Sequence, residues 1–335
     1  MIRLSVLDQS PIREGRTAAQ AIEESLVLAQ ASDSLGFYRY WLAEHHNAGG
    51  LAGSAPEILI GRIAQLTTNL QVGAGGIMLN HYSALKVAES FRVLETLYPG
   101  RIDLGLGRAP GSDGRTARAL AHGPGALGIE HFPSQINDVV NFIHDTIEPD
   151  NHFHGVHAEP RGLGAPEIWL LGSSDQSAAY AAHFGLPFSF AHFINDQGGE
   201  AVMQAYMRQY QPSERYPEAI GNVGVFVICA DTDAEAKRLA LSRDLWLLRL
   251  RLGRPGPVPS PEEAEAYPYT AQEMRIVEFN RHRTIAGDPA TVKARLEKIA
   301  EAHGVGELVV VTITHDFEAR LRSYELLAEA FALGK

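Results

Sequence analysis

Cysteine is all but missing from this chain: Cys229 is the single one among 335 residues. One thiol allows neither an intrachain disulfide nor a thiolate metal cluster. Long apolar runs are missing too, and stretches such as Leu308 to Ile313 fall far short of the roughly 20 residues a membrane helix needs. Positive charge is scarce. Lys and Arg number 29 against 40 Asp and Glu, a formal net charge of −11, and no Lys/Arg-rich stretch interrupts it. Such a surface repels phosphate backbones and anionic lipid, so neither nucleic acid nor membrane is expected as the main partner. The chain opens directly on the strand-like Ile2-Arg3-Leu4-Ser5-Val6-Leu7 without a signal-peptide pattern, and a cytoplasmic protein is expected.

What the sequence does contain is a repeated alternation of a short apolar run, a turn and an amphipathic helix. Strands are expected at Leu4 to Asp8, Tyr38 to Glu44, Leu70 to Leu79, Arg101 to Gly107, Glu167 to Gly172, Pro187 to Ala191, Val223 to Cys229 and Glu307 to Ile313. Helix starts are marked by Thr17 with Gln20, Ser54 with Glu57, Ser83, Ser174 and Asp288-Pro289, and stops by Gly36, Pro99-Gly100 and Gly185. The strands are continuously apolar, as in a parallel sheet buried on both faces. Eight strands, most followed by a helix, predict one (β/α)8 barrel domain over residues 1–335, a doubly wound open sheet being the competing architecture. Two loop insertions are expected, at Arg108 to about His131 after the fourth strand and at Gly253 to Tyr269 before the last helices.

In a (β/α)8 barrel the active site gathers at the C-terminal strand ends. Here those ends are polar: Asp8-Gln9-Ser10, Glu44-His45-His46, Ala74 to Asn80, Gly107-Arg108, Gly172-Ser173-Ser174, Ala191-His192 and Thr312. Ser173 and Ser174 stand where a strand passes into a helix, whose N-terminus is a natural seat for phosphate; Ser177 lies one turn on, and ordinary helix capping is the plain alternative. Arg108 could add a charge-assisted contact to the same anion, or simply be solvated. Gly73, Gly75 and Gly76 within a strand mark either close approach of a flat ligand or tight strand packing. His45 and His46 should point to opposite faces and so not share a metal; one of them could act as acid, base or hydrogen-bond donor near neutral pH. Asp8, His81 and His192 are candidates for the substrate pocket. His152, His154 and His157 have metal-like spacing but read as a surface hairpin. No G-x-G-x-x-G is completed, since Met78 and Pro110 stand where the third glycine belongs, and there is no P-loop, H-E-x-x-H or G-x-S-x-G motif.

Taken in order, several segments resemble the bacterial luciferase-like monooxygenases and their flavin-dependent relatives: Leu35-Gly36-Phe37 through Glu44-His45-His46, Val72 to Leu79 followed by His81, Pro99-Gly100-Arg101-Ile102 with Gly105 to Arg108, Gly172-Ser173-Ser174 with Gly185-Leu186-Pro187, and Gly287-Asp288-Pro289. The resemblance covers nearly the whole chain. It implies flavin phosphate at Arg108, Ser174 and Ser177, with Ser173 beside them. It lays the isoalloxazine ring on Ala74, Gly75 and Gly76, with a cis peptide at Gly75-Gly76, and gives His45 the chemical role. Gly107 replaces luciferase's cysteine and Ser173 an acidic residue, so light emission is not implied. The implied reaction uses reduced FMN from a separate NAD(P)H-dependent flavin reductase, with O2, to oxidise a small organic substrate; a homodimer is implied as well. Loops at Ala109 to Glu130 and Gly253 to Ala271 are expected to close the pocket. The alternatives are a deazaflavin (F420)-dependent hydride-transfer enzyme, a flavin-binding protein without turnover, and a metal-dependent barrel hydrolase.

Overall fold

In the computed structural model, which describes residues 2–109, 111–121, 128–162 and 164–334, the alternation closes into a barrel. In chain order the elements are β1 (Arg3–Asp8), α1 (Ala18–Leu35), β2 (Arg39–Leu42), α2 (Pro56–Leu66), β3 (Gln71–Met78), α3 (Ala84–Leu97), β4 (Ile102–Gly107), α4 (Gly114–Leu120), α5 (Phe132–His144), β5 (Glu167–Gly172), α6 (Asp175–His183), β6 (Phe188–Ala191), α7 (Gly199–Gln209), β7 (Gly221–Cys229), α8 (Asp233–Arg251), α9 (Pro261–Ala266), α10 (Ala271–Arg281), β8 (Thr284–Gly287), α11 (Pro289–His303), β9 (Glu307–Val311) and α12 (Phe317–Phe331). Strands β1 to β7 and β9 pair in parallel, each with its neighbours, until β9 returns to β1; the ring is a (β/α)8 barrel.

The helix boundaries follow their caps. Thr17 and Gln20 form the reciprocal capping box, and Gly36 ends α1 in the left-handed region at φ 86°. Ser83, Ser174 and Asp288 each accept a backbone N–H of their helix. Ser54 does not: Ala55 occupies the N-cap of α2 with no side-chain bond, and Pro56 starts the helix instead. Both expected loop insertions contain short helices, α4 capped by Asp113 and α9 capped by Ser260.

A ninth strand was not expected. β8 pairs with β7 at Phe226 to Cys229, on the edge that β6 occupies lower down at Gly221 to Gly224. β7 is long enough, at nine residues, to carry both neighbours end to end. The stretch from α8 to α10 is thereby anchored above the barrel rim.

Strand residues alternate between two apolar layers. Val6, Leu42, Val72, Ala74 and Leu104 join the shell packed under the helices, whereas Leu7, Trp41, Trp169, Phe226, Val309 and Val311 fill the ring. Trp41 and Trp169 meet edge to face across it, ring centroids 5.3 Å apart. Glycine is required where β3 and β4 approach: a Cβ on Gly73 would lie 2.3 Å from the Asp103 carbonyl oxygen, and one on Gly105 2.2 Å from that of Ala74.

The N-terminal end of the ring is plugged by charge. Buried Arg39 donates to Asp103 at 2.7 Å, to Glu167 at 2.7 Å and to Glu307 at 3.1 Å. Trp41 Nε1 donates to Asp103 and Trp169 Nε1 to Glu167. One cation faces three carboxylates, so one of them should resist ionisation. Burial, more than any other influence, pushes Asp103 up to about 7. Because this folded-state value lies above the unfolded one, the contribution of Asp103 to stability is complete at low pH and disappears as pH rises through about 7. Asp103→Asn should therefore gain stability relative to the parent chain between pH 5 and pH 8. Urea midpoints at the two pH values measure this; a difference that does not change with pH would show that Asp103 is already ionised at the lower one.

Candidate active site

At the opposite, C-terminal end of the barrel, the turn from β5 into α6 holds three of the expected residues together. Gly172 has no room for a side chain, since a Cβ would stand 2.3 Å from Ser177 Oγ. Ser174 caps α6 by accepting from Ser177 N–H, and the two hydroxyl oxygens lie 3.4 Å apart. Arg108, leaving β4, reaches across and donates to Gln176, whose amide donates to Tyr180. Arg108, Ser173, Ser174 and Ser177 line one cavity of about 310 Å³. Gly75, Gly76 and Gly107 form part of its wall together with Leu7, Trp41, Met78 and Leu171. The Gly75–Gly76 peptide is cis. This cleft is polar and cationic at one end and flat and apolar elsewhere. Ala74 is not in its wall, because strand alternation turns that side chain outward into the helix-facing shell.

A second cavity of about 590 Å³ adjoins the first, and Phe193 and Ile194 belong to both walls. His45 and His46 both line this chamber. The expected opposition of the two side chains fails because β2 ends at Leu42, so the strand alternation no longer governs them. His46 Nε2 lies 2.7 Å from Glu44 Oε1. The same carboxylate accepts from Tyr82 OH at 2.7 Å and from Met78 N–H at 2.9 Å. Glu44 thus ties the end of β3 to His46. The Glu-His-His run contained it, yet nothing in the sequence alone distinguished its role.

His45 carries no such partner. Its Nδ1 is buried without a hydrogen bond among the described residues. Burial, and secondarily the neighbouring His46, lowers its pKa to about 4. The expectation of titration near neutrality is corrected: desolvation keeps this imidazole neutral at pH 7.

The three substrate-pocket candidates do not line either cavity. Asp8 is fully buried and bonds to Arg320 at 2.7 Å, Tyr40 OH at 2.7 Å and Ser10 N–H at 2.8 Å. Burial opposes its ionisation, but Arg320, Ser25 and Tyr40 hold its carboxyl below the usual range. It is a structural ion. His192 packs against His303, ring centroids 6.0 Å apart, and burial lowers its pKa. His81 stands half-buried behind the chamber, its ring 6.1 Å from that of His46. Among the described residues no His, Cys, Asp or Glu group is arranged for a metal; His157 pairs with Asp145 and His152 lies on Phe153. The lid expected at Ala109 to Glu130 falls partly outside the described residues.

Sequence reasoning missed Phe193, Ile194 and most of the far wall of the chamber, although Pro255 of the expected closing loop Gly253 to Ala271 does line it. Phe193 and Ile194 follow the end of β6 by two and three residues, a position that marks them as rim residues. The far wall comes from α8 to α10, which had no strand end to announce it.

The family model for luciferase-like monooxygenases matches residues 2–306. A luciferase-like monooxygenase of Escherichia coli (strain K12) is 40% identical over 327 residues, covering 97% of this chain and 96% of its own length. The N-acetyl-S-alkylcysteine monooxygenase of Bacillus subtilis (strain 168) is 36% identical over 336 residues, covering 100% of each. Among solved structures, apo-MsnO8 is similar with a TM-score of 0.91 at 39% identity, covering 99% of both chains. Two more distant structures share the fold. One is the oxygenating constituent of 3,6-diketocamphane monooxygenase in complex with FMN (TM-score 0.71, 21% identity, 98% and 97% covered). The other is an F420-dependent secondary alcohol dehydrogenase (TM-score 0.71, 11% identity, 98% of each covered). On the closed parallel barrel, the paired cavities at its C-terminal end and a match running through almost all of its length, the chain is an oxidoreductase belonging to the luciferase-like monooxygenase family.

Proposed function

We propose that the chain binds FMN in the smaller cleft and oxidises a small organic molecule held in the adjoining chamber. One observation carries this reading: anion-binding groups and a flat glycine-lined wall occupy the same cavity, which borders the chamber at Phe193 and Ile194. Arg108, the Ser173, Ser174 and Ser177 hydroxyls and the first turn of α6 suit a phosphate. Gly75, Gly76, Trp41 and Leu171 suit a planar ring. FMN, when bound in reduced form, supplies the reaction with O2; a separate NAD(P)H-dependent flavin reductase is the proposed source. The chain's own groups bind, orient and exclude water. His45, neutral and with no hydrogen-bond partner for Nδ1 among the described residues, offers one hydrogen bond toward the chamber. Glu44 holds His46 and Tyr82 in place beside it.

The phosphate assignment is tested on binding. Arg108→Ala should weaken FMN by about one to two decades, the value of a charge-assisted hydrogen bond of roughly 1.5–3 kcal/mol. Riboflavin has no phosphate and should bind the two proteins alike. Equal weakening of both ligands would remove Arg108 from the phosphate site. A deazaflavin cofactor is the second reading, consistent with the F420-dependent structure of the same fold. Tighter binding of F420 than of FMN to the purified chain would replace the first reading by the second.

A further inference from the structure

The chamber wall contributed by α8, α10 and the turn before β8 is cationic, although the chain as a whole carries a formal charge of −11. Arg243 is its centre. The residue is 3% exposed, Nη1 donates to Thr284 Oγ1 at 2.5 Å, and the guanidinium carbon sits 3.9 Å from the centroid of the Phe226 ring. Nε is buried with no partner among the described residues, and Nη2 makes no hydrogen bond to them either. The adjacent carboxylate of Asp244 is hydrogen-bonded to Arg281 Nε at 2.6 Å instead, and its charge offsets the burial of Arg243 only in part.

Around it the pattern repeats. Arg283 is held by the Ile194 carbonyl and the Asn280 side chain through its terminal nitrogens, and its own Nε is also buried and unpaired. Arg251 is the third arginine of the wall, and among the described residues Asp113 is the single acidic one lining the chamber. Asp113 is committed elsewhere, accepting from Arg115 N–H and Thr116 N–H as the cap of α4. Burying a guanidinium without an anion is costly. Burial, with the charge of Arg283, lowers the Arg243 pKa to about 9 in spite of Asp244, the direction expected of a cation with no carboxylate hydrogen-bonded to it.

We propose that the substrate carries a carboxylate, bound side-on by the free Nε–Nη2 edge of Arg243 with Arg283 beside it, and an apolar body lying in the chamber. The geometry of that edge favours a planar two-oxygen acceptor over a point charge. Phe226, Trp246, Leu247 and Val311 supply the apolar wall. The carboxylate is the handle, and oxidation falls on the apolar body, which extends toward the border with the cleft at Phe193 and Ile194. Arg243 is thus a specificity-determining residue within the proposed reading, on which the inference rests.

The test uses the full chain without flavin, titrated calorimetrically with hexanoate and with hexanamide. Hexanoate should bind at least tenfold more tightly than the neutral amide. Arg243→Met should lower hexanoate affinity by about ten- to a hundredfold and leave hexanamide unchanged. Arg283→Met, a change at a less buried position, should weaken hexanoate severalfold; it keeps the proposal testable if Arg243→Met does not fold. Equal affinity for acid and amide in the parent chain would overturn the proposal, as would unchanged hexanoate binding in a folded Arg243→Met or, failing that, in Arg283→Met. FMN affinity is measured separately on the same protein. Selective hexanoate binding without FMN binding would defeat the cofactor reading alone, and FMN binding without acid selectivity would defeat this inference alone.

Discussion

Arg39→Met is expected to leave a chain that is barely folded at pH 8. The substitution keeps much of the aliphatic volume and removes the one cation that Asp103, Glu167 and Glu307 share. Breaking a buried ion pair from one side costs about 3–5 kcal/mol, a large share of the 5–15 kcal/mol typical of a whole domain. The loss should shrink as the carboxylates take up protons, so acidification toward pH 5 should recover part of the urea midpoint. A variant as stable as its parent at pH 8 would mean that the three carboxylates do not depend on Arg39. The cluster lies toward the N-terminal end of the barrel and meets the cleft only through Trp41, which donates to Asp103 and lines the cleft wall, so FMN affinity of whatever remains folded should fall far less than stability does.

His45→Ala should act in the opposite way, sparing the fold and reducing turnover. Removing a positioned proton donor or acceptor typically costs 10²- to 10⁴-fold in rate, while FMN affinity should move by less than about threefold, since His45 lines the chamber and not the cleft. With its pKa lowered to about 4, His45 gains a proton only as pH falls through that value. Between pH 6 and pH 9 it should contribute no limb to the activity profile. A limb near 6.5 that disappears in His45→Ala would contradict the neutral imidazole described above. His46→Ala should do less to the chemistry and more to the packing of Glu44 and Tyr82. If His46→Ala abolishes product and His45→Ala does not, the two roles are exchanged.

Much of the architecture was legible because parallel strands buried on both faces are written as apolar runs, and capping residues punctuate the helices between them. The barrel, most caps and the convergence of Arg108 with Ser173, Ser174 and Ser177 all follow from such local signals. What was not legible depends on distance. Asp8 looks like a pocket residue at a strand end, and its partner Arg320 is 312 positions away. Continuous apolarity hides which face a strand residue takes, so Ala74 could not be told from Gly75. β8 has four residues, one of them glycine, and becomes a strand only because β7 outreaches β6. Arg243 reads as one more arginine of a helix that has several; its burial is a property of the chamber assembled around it.

The sharing of one β7 edge by β6 and β8 has a consequence for how such a protein can diversify. Every residue of the cleft comes from outside the excursion between β7 and β9, whereas Arg243, Trp246, Leu247, Asn280 and Arg283 all come from within it. The excursion leaves from the top of β7 and is pinned back to it by β8 before α11 resumes the barrel. It is a cassette with both ends fastened to a single strand. Insertions, deletions or wholesale replacement between those fastenings would change what the protein accepts while leaving the proposed cofactor cleft in register, so descendants of one scaffold could part ways in diet without relearning their chemistry.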